Sequence, residues 1–210
     1  MEEYLMVEAP GQGEIVEKKS RFIANVFSVR NEEEALAYIE EIKKKYWDAR
    51  HHCYAFVIGK NNEIQRFSDD GEPQGTAGKP ILEVLAKGNI HNTLIVVTRY
   101  FGGTLLGTGG LVRAYGQSAK AGIENAKVVR VCDGVSFQLN CDYNSIGKIK
   151  YIMAQMNIMA EEEYGADVAL HINMRKQDFE LFKNQVTDAT GGKAVFGEIQ
   201  SIAYKENIEK

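Results

Sequence analysis

TLIVVTRYFGGTLLGTGGLVRAY, residues 93–115, passes from an apolar run into helical spacing through ten residues, 101–110, of which five are glycine. Thr93–Tyr100 predicts a buried strand. From Thr108, Leu111, Tyr115, Ala119, Gly122 and Ala126 recur at three- and four-residue intervals, which predicts a helix capped by Thr108 or Gly109, with Arg113, Gln117 and Lys120 facing elsewhere. Strand, glycine-rich loop and helix in that order aim backbone N–H groups and a helix N-terminus at an anion. Arg99 and Arg113 flank the loop and can add bidentate contacts to phosphate. Neither G-x-x-x-x-G-K-[ST] nor G-x-G-x-x-G is present, so this is no nucleotide loop by pattern. The stretch reads equally as an anion cradle and as a tight turn that brings strand and helix close.

Working outward, SRFIANVFSV (20–29) alternates and predicts a strand. Asn31 and Glu34 occupy N-cap and N3 positions of a helix with acids in its first turn and Lys43–Lys45 in its last; Ala35, Leu36, Ile39 and Ile42 form its inner stripe. HCYAFVIG and EIQRFSDD flank Asn61-Asn62, which signals a hairpin. After the loop DDGEPQGTAGK, Pro80 sits in the first turn of a short helix that ends at Gly88. From Val135 the chain reads β, α, β, β, α, β, the ferredoxin-like order, with Asn144 as a helix N-cap and Gly191-Gly192 ending the second helix. This places a domain boundary near Asp133-Gly134, giving domains 1–133 and 134–210.

The 210 residues are 44% hydrophobic and 10% aromatic, enough for a core. Apolar runs such as Leu94–Val97 are far shorter than the roughly 20 residues of a bilayer span, and the start shows no signal-peptide pattern, so a cytoplasmic protein without membrane contact is expected. Cys53, Cys132 and Cys141 are an odd count without CxxC spacing, which predicts reduced, buried thiols and no structural zinc. A net charge of −4 lacks the basicity of a protein held on nucleic acid by phosphates alone, so any nucleic-acid surface must be local, and no reading of DNA sequence is expected.

Three sets of residues carry chemistry. Asp69, Asp70 and Glu72 suit a hard cation or a general base, or make an ordinary solvated turn; the calcium-loop spacing is incomplete, and no metal is expected. His51 and His52 face opposite sides of a strand and cannot share a metal, and His51 or His52 can serve as a base beside the acidic loop or as a hydrogen-bonded structural group. Basic and aromatic residues interleave in SRF, QRF and RYF, raw material for stacking and phosphate contact with single-stranded RNA, although the three triplets lie in different elements. No G-x-S-x-G elbow exists.

SRFIA, the A-x-H-x-C of Ala49–Cys53, DDGEPQGTAGKP and RYFGGTLLGTGGLVRAY together resemble the YigZ/IMPACT family across about the first 130 residues. The resemblance is to bacterial members, which carry a second domain of the β-α-β-β-α-β kind. It implies an α+β chain: a first domain folded like elongation-factor domain IV and its ribosomal-protein relatives, then a ferredoxin-like one resembling elongation-factor domain V. It also implies a regulator of translation that binds ribosomal RNA, the ribosome or a translation-associated protein without catalysis or cofactor. The family's signature positions here are Ser20, Arg21, Phe22, His51, Asp70, Gly71, Glu72, Pro73, Thr76, Ala77, Gly78, Arg99, Tyr100, Phe101, Gly102, Gly103, Gly107, Gly110 and Arg113. Arg21, Arg99, Tyr100, Phe101, Gly102, Gly103, Gly107, Gly110 and Arg113 from these, together with Lys79, are the expected binding set, with Arg99, Arg113 and Lys79 on phosphate and Tyr100 and Phe101 as exposed anchors for a protein partner. The alternative is a hydrolase or other enzyme acting on a small phosphorylated or peptide substrate between the 70–79 and 99–113 loops, with His51, Asp70 and Glu72 as acid–base groups.

Overall fold

The computed structural model describes residues 3–208. They form two compact units, Tyr4–Arg130 with residues 207–208, and Val131–Glu206 with Glu3. The first unit contains β1 (Tyr4–Ala9), β2 (Gly11–Glu17), β3 (Ser20–Ser28), α1 (Glu32–Lys45), β4 (His51–Ile58), β5 (Ile64–Ser68), α2 (Gly78–Lys87), β6 (Ile90–His91), β7 (Thr93–Tyr100) and α3 (Gly107–Glu124). Five strands make an antiparallel sheet in the order β2-β3-β7-β4-β5, and β1 pairs in parallel with β6.

Strand β7 is apolar on both faces because both are covered. Leu94 and Val96 join Phe56 and Ile58 against Ala35, Ile39 and Ile42 of α1, while Ile95 and Val97 join Phe22, Ala24, Cys53 and Ala55 against Ile81 and Leu85 of α2 and Leu111, Ala114, Tyr115 and Ala119 of α3. Each fully buried aliphatic side chain contributes roughly 1.5–3 kcal/mol. A Cβ on Gly13 would lie 2.4 Å from the Ala121 carbonyl carbon, so only glycine lets α3 rest directly on β2.

Local expectations meet corrections at the helix ends. Asn31 Oδ1 accepts the Glu34 N–H at 2.8 Å, but the Glu34 carboxylate accepts from the Arg30 N–H, one residue before the cap. Leu36 is 48% exposed and outside the inner stripe, since it stands 100° around the helix from Ala35. Neither Thr108 nor Gly109 caps α3: the helix starts at Gly107 with Leu106 in the N-cap position and no side-chain bond. The Asn61-Asn62 hairpin is present, with Ile58 opposite Ile64 and Asn62 in the left-handed region at φ 58°.

The second unit begins within β8 (Lys127–Cys141) and continues through α4 (Ile146–Gln155), β9 (Ala160–Tyr164), β10 (Val168–Arg175), a 3-10 turn (Lys176–Asp178), α5 (Phe179–Thr190), β11 (Val195–Phe196) and β12 (Gln200–Asn207). Strand β10 lies between β9 and β8, and β11 pairs with the opposite edge of β8, where Asn140 faces Ala169 on one side and Val195 on the other. This is the ferredoxin-like arrangement. Phe137, Leu139, Leu170 and Ile172 meet Ile149, Met153, Phe182 and Val186 of the two helices. The final strand, expected to be continuous, is split, and the Gly197 N–H in the break donates to the Gln138 carbonyl. Asn144 is not the cap of α4; Asp142 Oδ1 accepts the Ser145 N–H at 2.8 Å instead. Gly191, at φ 62°, ends α5. The three cysteines are free and buried. Among the described residues, no helix is long and apolar enough to cross a membrane.

Candidate functional site

Loop 69–78, the start of β4, the end of β7 and the first half of α3 meet in one hydrogen-bonded network. At its centre the Glu72 carboxylate Oε1 accepts from Arg99 Nη1 at 2.6 Å and from the Tyr115 hydroxyl at 2.8 Å. Side-chain exposure is 7% for Arg99 and 4% for Glu72. The guanidinium carbon lies 5.4 Å from the Phe22 ring centroid and 5.6 Å from that of Phe101. Its Nη2 reaches Ser20 Oγ at 3.5 Å, and that oxygen also accepts the Gly102 N–H at 3.1 Å. Cys53 Sγ–H donates to the Asp69 carbonyl at 3.0 Å, with the Tyr115 hydroxyl 3.3 Å away. Burial is the main force pushing both the Cys53 thiol and the Tyr115 phenol up from their ordinary values, so both stay protonated at neutral pH.

The acidic loop is built around Asp69. Its Oδ1 accepts from the N–H groups of Ala77 and Gly78, at 3.0 and 2.8 Å, and its Oδ2 from that of Gly75 at 2.8 Å. These are the donors that an anion at the N-terminus of α2 would use, so the loop carries its own carboxylate there. Asp70, at φ 40°, accepts the His52 N–H on Oδ2 at 2.6 Å, and its carbonyl accepts from His51 Nδ1 at 2.8 Å, which fixes that tautomer. His52 points the other way, its Nε2 donating to the Tyr46 carbonyl at 3.1 Å. The acids thus face backbone donors and Arg99 rather than a common point.

The expected binding residues divide sharply. Arg99 is sealed and neutralised by Glu72, whereas Arg113 and Lys79 are exposed and, among the described residues, make no hydrogen bond or ion pair. The Arg113 Nη1 is 3.8 Å from where a Gly109 Cβ would stand, over the first turn of α3. Lys79 is the second residue of α2. Arg21 pairs with Glu14 through two bonds of 2.8 and 3.1 Å and lies 5.6 Å over the Tyr100 ring. Tyr100 is half-buried and donates to Asp48 at 2.7 Å, so it is not the free anchor that Phe101, 52% exposed, is. Desolvation, reinforced by Asp48, pushes the Tyr100 phenol up to about 12.

Of the three basic–aromatic triplets, two come together, because Arg21 on β3 pairs with Tyr100 on β7; the third lies on edge strand β5, beyond β4. Among the loop glycines, Gly102 is needed for close approach: a Cβ there would lie 2.1 Å from the Lys19 carbonyl carbon. Gly103 and Gly107 hold φ values of +83° and +69°, a conformation that glycine adopts without strain. Gly110, inside α3, faces only Leu106. Sequence reasoning missed Asp69 as a cap, Tyr115 as a polar partner and Leu105, 83% exposed. The signal for Leu105 was available, as an apolar pair within a glycine-rich loop.

The chain is similar to known proteins in sequence and in fold. The Impact N-terminal domain matches residues 18–123, which contain the whole network, and a domain of unknown function (DUF1949) matches residues 139–193. IMPACT family member YvyE of Bacillus subtilis is 42% identical over 192 residues, covering 91% of this chain and 88% of that protein. IMPACT family member YigZ of Escherichia coli is 36% identical over 197 residues, covering 91% and 96%. A solved structure described as a crystal structure of an hypothetical protein superposes with a TM-score of 0.60 at 34% identity, covering 95% of this chain and 98% of the other. With its motifs joined in one network and its length matched almost end to end, the chain belongs to the IMPACT family.

Proposed function

We propose that this protein regulates translation by binding RNA of the ribosome, and that the buried network is the scaffold of the binding face rather than a reaction centre. The observation that carries the reading is how the polar groups are used. Asp69, Asp70, Glu72, Cys53 and Tyr115 are bonded to one another and to backbone, while Lys79, Arg113, Phe101 and Leu105 around them are left to solvent. The Arg113 guanidinium lies over the first turn of α3, where N–H groups without a side-chain cap and the helix dipole favour a phosphate, whereas Lys79, beside the α2 N-terminus that Asp69 already fills, offers its charge alone. Phe101 offers a ring for a base to stack on. A net charge of −4 restricts the contact to this local cluster.

The test is co-sedimentation with ribosomes over a salt series, using wild type, Lys79→Ala/Arg113→Ala and Phe101→Ala. Two lost phosphate contacts should flatten the dependence of log K on log salt by roughly 1.4–1.8. Association unchanged in the double variant sinks the RNA reading. Association that is salt-insensitive and lost only in Phe101→Ala would assign the face to a protein partner instead. One observation favours an enzyme as a second reading: His51, held by Nδ1, makes no bond through Nε2 among the described residues. Hydrolysis of phosphorylated or peptide substrates that disappears in His51→Gln would support it.

A further inference from the structure

We propose that the opposite face of the first unit's sheet, under α1, holds a separate small-molecule site for a zwitterionic α-amino acid whose side chain ends in a carbonyl group. A cavity of about 330 Å³ opens there between β2, β3 and the C-terminal half of α1, with Phe27 and Ile42 as apolar wall. That is at the lower end of the range for small-ligand pockets. Asn25 lines it from the middle of β3; it is 4% exposed, and its Nδ2 has no hydrogen-bond partner. A buried amide without an acceptor is uncommon enough in a native fold to call for an occupant.

The charges at the cavity agree. Glu41 and Lys45, both lining it, are four residues apart on α1, in the order that favours an ion pair. Among the described residues, neither makes an ion pair or a hydrogen bond, and the Lys45 ammonium lies instead 5.1 Å over the Tyr46 ring. Two opposite charges one helical turn apart, both exposed at the cavity and without an ion-pair partner among the described residues, match an α-ammonium and an α-carboxylate. Asn25 then takes the side-chain carbonyl, and the methylenes lie against Phe27 and Ile42. An aliphatic acid or an uncharged base leaves one or both charges unmet. None of Lys79, Phe101 or Arg113 lines the cavity, so the site stands or falls apart from RNA binding.

The experiment is calorimetric titration of the full chain with L-glutamine, with L-norleucine as the analogue lacking the carbonyl. Saturable binding of L-glutamine is expected, at least tenfold weaker for L-norleucine and at least tenfold weaker in each of Glu41→Gln, Lys45→Met and Asn25→Val. Asn25→Val should melt no lower than wild type, because it removes an unpartnered polar group. If Asn25→Val fails to fold, the two exposed-helix variants still decide. Absence of saturable binding, equal binding of L-norleucine, or wild-type affinity in Glu41→Gln and Lys45→Met overturns the proposal.

Discussion

Replacing Glu72 by Leu should cost far more alone than together with Arg99→Met. The single change leaves a guanidinium between the Phe22 and Phe101 rings with its 2.6 Å carboxylate partner gone, at a site where both side chains are more than nine-tenths buried. Losing one partner of such a pair costs about 3–5 kcal/mol, against a total stability of about 5–15 kcal/mol. For a chain of this size that lowers Tm by about 6–20 °C. Arg99→Met strands the carboxylate with only the Tyr115 hydroxyl and should cost about 3 kcal/mol. The double variant replaces the pair by apolar groups and should be more stable than either single one, with a coupling of at least about 2 kcal/mol. Urea unfolding followed by far-ultraviolet circular dichroism measures all four corners of the cycle. Single effects under about 1 kcal/mol that simply add would refute the sealed pair and return Arg99 to the list of phosphate contacts.

Asp69→Ala removes the acceptor of three backbone N–H groups and should cost about 2–4 kcal/mol, with hydrogen exchange accelerated at Gly75, Ala77 and Gly78; unchanged protection there would contradict the cap. Gly13→Ala should destabilise by about 1–3 kcal/mol, because its Cβ meets α3 backbone, whereas Gly116→Ala, inside α3 with nothing within 4 Å, should stabilise by about 1 kcal/mol; thermal melts distinguish the signs. In alkali, the unfolded chain releases the Cys53 and Tyr115 protons near pH 9 and 10, while the fold holds them, so stability is full below about pH 9 and falls above it. Each group steepens that fall by about 1.4 kcal/mol per pH unit, and Tyr115→Phe should remove one group's share from stability measured between pH 9 and 11.

What the sequence made legible was local. The strand at 93–100, the Asn31 cap and the β-α-β-β-α-β order follow from patterns a few residues long, and they agree with the structure. The inner stripe of α1 at Leu36 and the helix starts at Leu106 and Asp142 were misread where neighbouring residues offered the same chemistry and only packing chose between them. The site was legible as a set of residues but not as a set of bonds. Glu72 and Arg99 are 27 residues apart, and Glu72 and Tyr115 are 43 apart, so no periodicity relates them. Arg99 looked like the natural phosphate ligand because sequence records its charge and not the carboxylate folded over it.

Asp69 has one more consequence. A phosphate-binding loop is commonly slack until its ligand arrives, and the ordering is then charged against affinity. Here the carboxylate occupies the loop from the moment the chain folds. The loop that leads into Lys79 is therefore ordered before any encounter, and on the proposed reading an RNA would meet a finished surface there. Association should be governed by diffusion and charge, with little change in heat capacity beyond the area covered.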